Sequence, residues 1–288
     1  MVNNSDIMNK KICMVTGATD GIGKETARVL LQMGATVVAV GRNSQKITKT
    51  SQELKQKTGS ERLEFMQADF ADQNQIRQLA AQFRAKYDRL DVLINNAGTM
   101  TMSRQETRDG LEMMFAVNHL GYFLLTMLLL DTLKASIPSR IVNVASDAHE
   151  EATLNFDDLQ SEQDFGGLKV YGRSKLANIY FTYELAQRLE GTGVTINALH
   201  PGFIATNLGA DNIPVIGGLI KKVINLSAKN VSKGAETSIY LATSPEVDGI
   251  SGKYFVDCQQ IQSSPMSYDE TAAQQLWAVS AEMVGLNA

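Results

Sequence analysis

Cysteine, histidine and proline are scarce in this 288-residue chain. Its two cysteines, Cys13 and Cys258, form no C-x-x-C pair, which excludes a disulfide framework and a thiolate zinc site. The three histidines, His119, His149 and His200, are scattered, so no imidazole metal centre is expected. Five prolines leave no proline-rich linker, and there is no internal repeat or low-complexity tract. Excess positive charge is missing too. Lys and Arg number 27 against 31 Asp and Glu, a net charge of -4, so no basic surface calls for nucleic acid. The longest apolar run, residues 120–130, is broken by Gly121 and Thr126 and falls short of the roughly 20 residues a membrane span needs. Residues 1–11 are polar and lack the apolar stretch of a secretory signal. These absences lead to the expectation of a reduced, cytoplasmic protein without metal or membrane span.

What is present is an alternation. The chain is 44% hydrophobic and 20% charged, the balance of a packed domain. Short β-branched runs recur at Ile12-Cys13-Met14-Val15, Thr36-Val37-Val38-Ala39-Val40, Val92-Leu93-Ile94, Ile141-Val142-Asn143-Val144 and Val194-Thr195-Ile196-Asn197-Ala198. Helix-compatible stretches at 24–33, 44–57, 72–86, 111–133 and 170–189 separate them. Strands apolar on both faces, alternating with helices, predict a doubly wound α/β fold of Rossmann type, with a parallel sheet covered on both sides. Gly34 and Gly59 stand where helix C-caps belong, and Ser44 is placed to cap the second helix. A flexible tail over 1–9 and a single domain over 10–288 are expected.

Chemistry enters after the first strand, at Thr16-Gly17-Ala18-Thr19-Asp20-Gly21-Ile22-Gly23. Glycines there permit a tight turn and let backbone N–H groups and a helix N-terminus approach a pyrophosphate. The spacing is G-x-x-x-G-x-G rather than the commoner G-x-G-x-x-G. At the end of the second strand, where an acid would bind a ribose 2′-OH, the chain has Gly41-Arg42-Asn43. A guanidinium suits a 2′-phosphate, which favours NADP(H) over NAD(H). Asn95-Asn96-Ala97-Gly98 at another strand end suits polar support of the sheet and close approach of a ligand.

The strongest clue is Tyr171-Gly172-Arg173-Ser174-Lys175, which sets a phenol and an ammonium on one helix face. A phenol titrates near pH 10, and bringing it to about 7 requires roughly 4 kcal/mol. One cation about 4 Å away, at an effective dielectric near 20, supplies about that much. Lys175 is therefore expected to lower the pKa of Tyr171.

Taken together, these motifs resemble the short-chain dehydrogenase/reductase family, and most of all its retinol dehydrogenase-like branch. The resemblance is carried by Thr16-Gly17-x-x-x-Gly21-Ile22-Gly23, Asp69, Asn95-Asn96-Ala97-Gly98, Asn118, Ser146, Tyr171-x-x-x-Lys175 and Pro201-Gly202 in family order. Closer wording lies in Gly21-Ile22-Gly23-Lys24-Glu25-Thr26-Ala27, Val117-Asn118-His119-Leu120-Gly121 and Leu199-His200-Pro201-Gly202. The resemblance implies strand order 3-2-1-4-5-6-7 and an NADP(H)-dependent exchange between a carbonyl and an alcohol. By the same resemblance Tyr171 is the general acid/base, Lys175 holds the nicotinamide ribose, Ser146 bonds the reacting oxygen and Asn118 holds a relay water. The cofactor set it implies is Gly17, Thr19, Asp20, Gly21, Ile22, Gly23, Arg42, Asn43, Asp69, Phe70, Asn96, Ala97, Gly98, Tyr171, Lys175, Pro201, Gly202, Ile204 and Thr206.

Two departures are visible. Asp20 stands where NADP-using members often carry a basic residue, and Ala145-Ser146 replaces the branch's usual serine pair. His149, just past Ser146, is either a loop histidine or part of the substrate site. Residues 208–228 read as a marginal amphipathic helix, either a lid over a lipophilic small-molecule substrate or a fixed surface helix packed on the core. A membrane-surface helix is the weaker third reading, because two lysines give little attraction. The apolar stretch 120–130 exceeds what one sheet face covers, which suggests a homodimer. Two other functions remain open. One is a non-catalytic NADP(H)-binding regulator, disfavoured by an intact Asn118/Ser146/Tyr171/Lys175 set. The other is reduction of an activated C=C bond.

Overall fold

A computed structural model describes residues 8–202 and 231–286. Residues β1 (Ile12–Thr16), β2 (Thr36–Gly41), β3 (Leu63–Gln67), β4 (Val92–Asn95), β5 (Ser139–Val144), β6 (Val194–His200), β7 (Lys253–Val256) and β8 (Gln259–Ile261) form one sheet in the order 3-2-1-4-5-6-7-8. The first seven strands are parallel, as expected, and β8 adds an antiparallel edge paired Tyr254↔Ile261. β8 was not anticipated: its residues are exposed, so Gln259–Ile261 has no apolar period to read.

Period-two alternation divides the core between the two faces. Met14, Val38, Leu93, Ile141 and Ile196 point to one side, where α3 (Gln73–Lys86), α5 (Gly121–Ala135), α6 (Gly167–Arg188) and α8 (Glu270–Met283) pack. Cys13, Val15, Val37, Ile94, Val142 and Leu199 point to the other, toward α1 (Gly21–Gln32), α2 (Ser44–Thr58) and α7 (Val231–Thr243). Cys13 is thus core, and burial pushes its thiol pKa up.

Several boundaries differ from the sequence expectation. Helix α1 begins at Gly21, inside the glycine motif, because Asp20 caps it by accepting from the Gly21 N–H at 2.8 Å. Asn43, not Ser44, caps α2, its side chain accepting from the Lys46 N–H at 2.9 Å; Ser44 is the first helical residue. Gly59 closes α2 with φ +66, a left-handed position suited to glycine. Met8, assigned to the tail, is buried, and its N–H bonds the Met33 carbonyl at 3.0 Å.

The stretch 111–133 is also not one regular helix. A single turn, α4 (Met113–Phe115), passes into a π-turn at Ala116–Leu120 and then into α5. Met113–Ala135 is long and apolar enough to cross a membrane by length and composition, yet 78% of its apolar window is buried inside the fold. That burial is the mark of a core helix. Met127, Leu128 and Leu130 alone among its leucines and methionines near the middle stay partly exposed.

Candidate active site

All seven parallel strands end at one edge, and the candidate residues gather there. The turn after β1 closes tightly on itself. Gly17 has φ +66, and a Cβ on Gly23 would stand 2.5 Å from the Gly17 carbonyl oxygen and 2.4 Å from Asn96 Nδ2. Only glycine fits either place. Asn96 braces this loop, its Nδ2 donating to the Thr16 carbonyl at 2.8 Å, while the Ala97 N–H donates to Thr16 Oγ1 at 2.9 Å. Asn95 faces inward instead, donating to Thr126 Oγ1 and Asn143 Oδ1, and so supports the sheet as expected. Gly98 follows on the same half-buried segment.

Thr19 lies against the end of β2: a Cβ on Gly41 would meet Thr19 Cγ2 at 2.4 Å, and the Ala18 N–H bonds the Val40 carbonyl at 2.9 Å. This brings the loop next to Arg42, which is exposed directly after Gly41. Ile22 is buried at the start of α1. Asp69, after β3, turns its carboxylate onto the Ala71 N–H at 3.0 Å. Phe70 departs from expectation. Its ring is in the core against Gly121, where a Cβ would meet it at 2.7 Å, so only its backbone is left to face a cofactor. Pro201 and Gly202, with φ +83, follow β6. Ile204, Thr206 and the lid stretch 208–228 lie outside the described residues.

The proton-transfer candidates meet over the end of β5. Ser146 follows it in extended conformation and opens a short turn, Asp147–His149. Helix α6 docks against that turn through Gly172, where a Cβ would stand 2.5 Å from the Ala148 carbonyl oxygen. That contact brings Tyr171 beside Ser146. Gly172 has a role that the Tyr-x-x-x-Lys spacing alone does not reveal; its signal is a glycine inside a helix, where it is costly unless something needs the space.

Lys175, one turn after Tyr171, is buried and donates from Nζ to the Val144 carbonyl at 2.9 Å. Its ammonium sits between two rings, 5.6 Å from the centre of Tyr171 and 5.7 Å from that of Tyr122. Tyr122 was missed. It is fully buried with no hydrogen-bond partner for its hydroxyl among the described residues, and its place four residues after Asn118 was the available signal.

The electrostatics correct one expectation. Burial pushes the Tyr171 pKa up to about 12, the Ser146 hydroxyl bond works against that rise, and the Asp147 carboxylate adds to it. Burial also pulls Lys175 down to about 7. Lys175 would lower the Tyr171 pKa only as a fully charged neighbour in a medium of uniform dielectric. In the folded protein both groups are desolvated, which disfavours the charged form of each.

Asn118 occupies the middle of the π-turn, fully buried. Its Nδ2 donates to the Thr99 carbonyl at 3.0 Å and to Ser174 Oγ at 2.9 Å, and its Oδ1 accepts from the Thr99 N–H at 2.8 Å. Both amide hydrogens are engaged, so the side chain locks the helix to α6 and to the loop after β4. The π-turn inserts an extra residue here, as such turns often do at functional sites. His149 is buried rather than part of an open pocket. Among the described residues no group of three or more His, Cys, Asp or Glu is placed to hold a metal.

A doubly wound parallel sheet, a glycine turn at its carboxyl edge and a Tyr-x-x-x-Lys helix docked on Ser146 define a nucleotide-dependent oxidoreductase. The chain belongs to the short chain dehydrogenase family, whose sequence model matches residues 11–214. It is 45% identical to human (Homo sapiens) retinol dehydrogenase 14, over 97% of this chain and 88% of that protein. Among solved structures it resembles an uncharacterised protein from Mycobacterium paratuberculosis, with TM-score 0.79 and 30% identity over 97% of this chain and 95% of the other. It also resembles the Pseudomonas aeruginosa RhlG/NADP active-site complex, with TM-score 0.71 and 25% identity over 88% and 97% of the two chains. The protein is an NAD(P)-dependent oxidoreductase of this family.

Proposed function

We propose that the protein reduces a carbonyl on a lipophilic small molecule, or oxidises the corresponding alcohol, with NADP(H) as cofactor. The reading is carried by the meeting of Ser146, Tyr171 and Lys175 at the edge where the glycine turn also ends. The Gly17–Gly23 turn suits a pyrophosphate, since its glycines leave no Cβ and α1 begins at the carboxyl edge of β1. The backbone of Gly17, Thr19, Asp20, Gly21, Ile22 and Gly23 would hold the phosphates, Arg42 and Asn43 the adenosine ribose with its 2′-phosphate, and Asp69 with the Phe70 backbone the adenine. Asn96, Ala97, Gly98, Pro201 and Gly202 would position the nicotinamide half, with Ile204 and Thr206. Bound NADPH supplies the hydride, and bound NADP+ accepts one in the reverse direction.

Tyr171 gives its hydroxyl proton to the carbonyl oxygen as negative charge develops there, or takes a proton from the alcohol. Ser146 Oγ donates a hydrogen bond to the same oxygen. In its protonated form Lys175 stabilises the ionised phenol and would hold the nicotinamide ribose, and Asn118 keeps α6 and its own helix in register through Ser174. The relative at 45% identity is named a retinol dehydrogenase, which favours a retinoid or a similarly apolar carbonyl. A homodimer would cover the strip of Met127, Leu128 and Leu130.

The test follows cofactor absorbance while purified protein is offered NADPH or NADH with retinaldehyde, a ketosteroid, a quinone and aliphatic aldehydes. Reduction of an apolar carbonyl with preference for NADPH is expected. Tight NADPH binding without turnover of any member would favour the regulator instead.

A further inference from the structure

His149 makes two hydrogen bonds that fix its protonation. One ring nitrogen, Nδ1, lies 2.6 Å from the Ser146 carbonyl oxygen, which can only accept, so Nδ1 carries the proton. The other, Nε2, lies 3.0 Å from the Ser264 backbone nitrogen, which can only donate, so Nε2 is bare. The ring is therefore neutral, and burial pushes its pKa below the ordinary histidine range. An edge-on contact with Tyr254 on β7, centroids 5.1 Å apart, holds its plane. One partner, Ser264, is 115 positions away, and the other is the backbone of Ser146 in the same turn.

The Ser264 end is itself anchored to α6. Tyr183 Oη is 2.6 Å from Ser263 Oγ, which is 2.6 Å from Ser267 Oγ, and Ser267 donates to the Ser264 carbonyl at 2.6 Å. Tyr180 Oη donates to the Met266 carbonyl at 2.7 Å. Helix α6 carries Tyr171 at its start and Tyr180 and Tyr183 two to three turns later. The path from Tyr171 along α6, through residues 263–267 and His149, therefore returns to Ser146. It forms a closed mechanical loop around the two reacting side chains.

Resting on the carbonyl/alcohol reading above, we propose that His149 is a positioning residue: it clamps the Ser146 backbone to the C-terminal segment 263–267 and so sets the Ser146 hydroxyl relative to the Tyr171 phenol. Its two ring nitrogens bond backbone atoms, not the Ser146 or Tyr171 hydroxyls. The Ser146 carbonyl accepts from the His149 ring at 2.6 Å and, at a longer 3.3 Å, from the His149 backbone N–H. The short ring bond limits its freedom to rotate, and Ser146 hangs its hydroxyl on that same residue. Misplacing a catalytic group by about 1 Å can lower a rate about a hundredfold.

The test uses the whole protein with NADPH and retinaldehyde, and compares His149→Ala, His149→Asn, Ser264→Pro and Tyr171→Phe. Asn can replace the Nδ1–H donor to Ser146 but cannot reach Ser264. Proline deletes the Ser264 N–H, and the φ there is already -58°, within proline's range. The expected result is a kcat about ten- to hundredfold lower for His149→Ala, with NADPH affinity unchanged and Asn recovering much of the loss. Ser264→Pro should fall between wild type and His149→Ala. If His149→Ala is poorly folded, the Asn and Pro variants carry the test, and wild-type kcat in both overturns the clamp. Wild-type kcat in folded His149→Ala overturns it too, as does an equal loss of NADPH affinity. The two readings separate through Tyr171→Phe. If that variant is inactive while His149→Ala is normal, only the clamp fails; if Tyr171→Phe turns over normally, both fail.

Discussion

Gly172 lies against Ala148 so closely that a Cβ in its place would stand 2.5 Å from the Ala148 carbonyl oxygen. The helix bearing Tyr171 and the turn bearing Ser146 are in contact only because one side chain is absent. Gly172→Ala adds a good helix former to α6, so the helix itself should not suffer. It must nevertheless push α6 away from the turn. The expected outcome is a kcat lower by at least about tenfold, because the two side chains separate, with NADPH affinity nearly kept. Steady-state kinetics beside a fluorescence titration with NADPH checks it; an unchanged kcat would mean that the turn yields at no cost.

Cofactor choice is expected to hinge on Arg42, the residue that follows Gly41 at the end of β2 and lies beside the Thr19 loop. Replacing it with alanine should cost about 1.5–3 kcal/mol of NADPH binding, the range of a hydrogen bond to a charged group, and leave NADH almost unaffected. Titration of both cofactors into both proteins measures this. Equal losses would remove the 2′-phosphate from Arg42.

Much of this was legible in the sequence, for identifiable reasons. Parallel strands are buried on both faces, so β1, β2, β4, β5 and β6 read as plain apolar runs. The glycine turn and the four-residue Tyr171/Lys175 spacing are local, and local spacing survives folding. What escaped is non-local. The edge strand β3 carries Glu64 and Gln67 and shows no clean alternation, and β8 is exposed throughout. The π-turn at Ala116–Leu120 has no mark in residue type. The pKa values of Tyr171 and Lys175 depend on burial by elements distant in the chain, and His149 finds its partner 115 positions away.

Lys175 gives the cofactor-free protein a particular pH dependence. Its folded pKa is about 7 against an ordinary value of 10.5. Between those limits the unfolded chain binds a proton that the folded chain does not, so stability is lost as pH falls from about 10 toward 7. Above about pH 10 the trend reverses, because Tyr171 ionises less readily when folded. Lys175→Met should flatten the rise and be the more stable protein near pH 7. Thermal melts of both proteins across that window check the sign; parallel curves would show that Lys175 stays charged in the fold.

The central claim, that Tyr171 is the acid and base of the reaction, is tested most directly by Tyr171→Phe. The ring stays and only the titrating hydroxyl is lost, so the packing around Lys175 is preserved. The measurement is turnover of retinaldehyde with NADPH, taken together with NADPH affinity on the same preparation. Turnover should fall to background while NADPH affinity stays close to wild type. Near-normal turnover in Tyr171→Phe would contradict the account and move the proton donor elsewhere in the site.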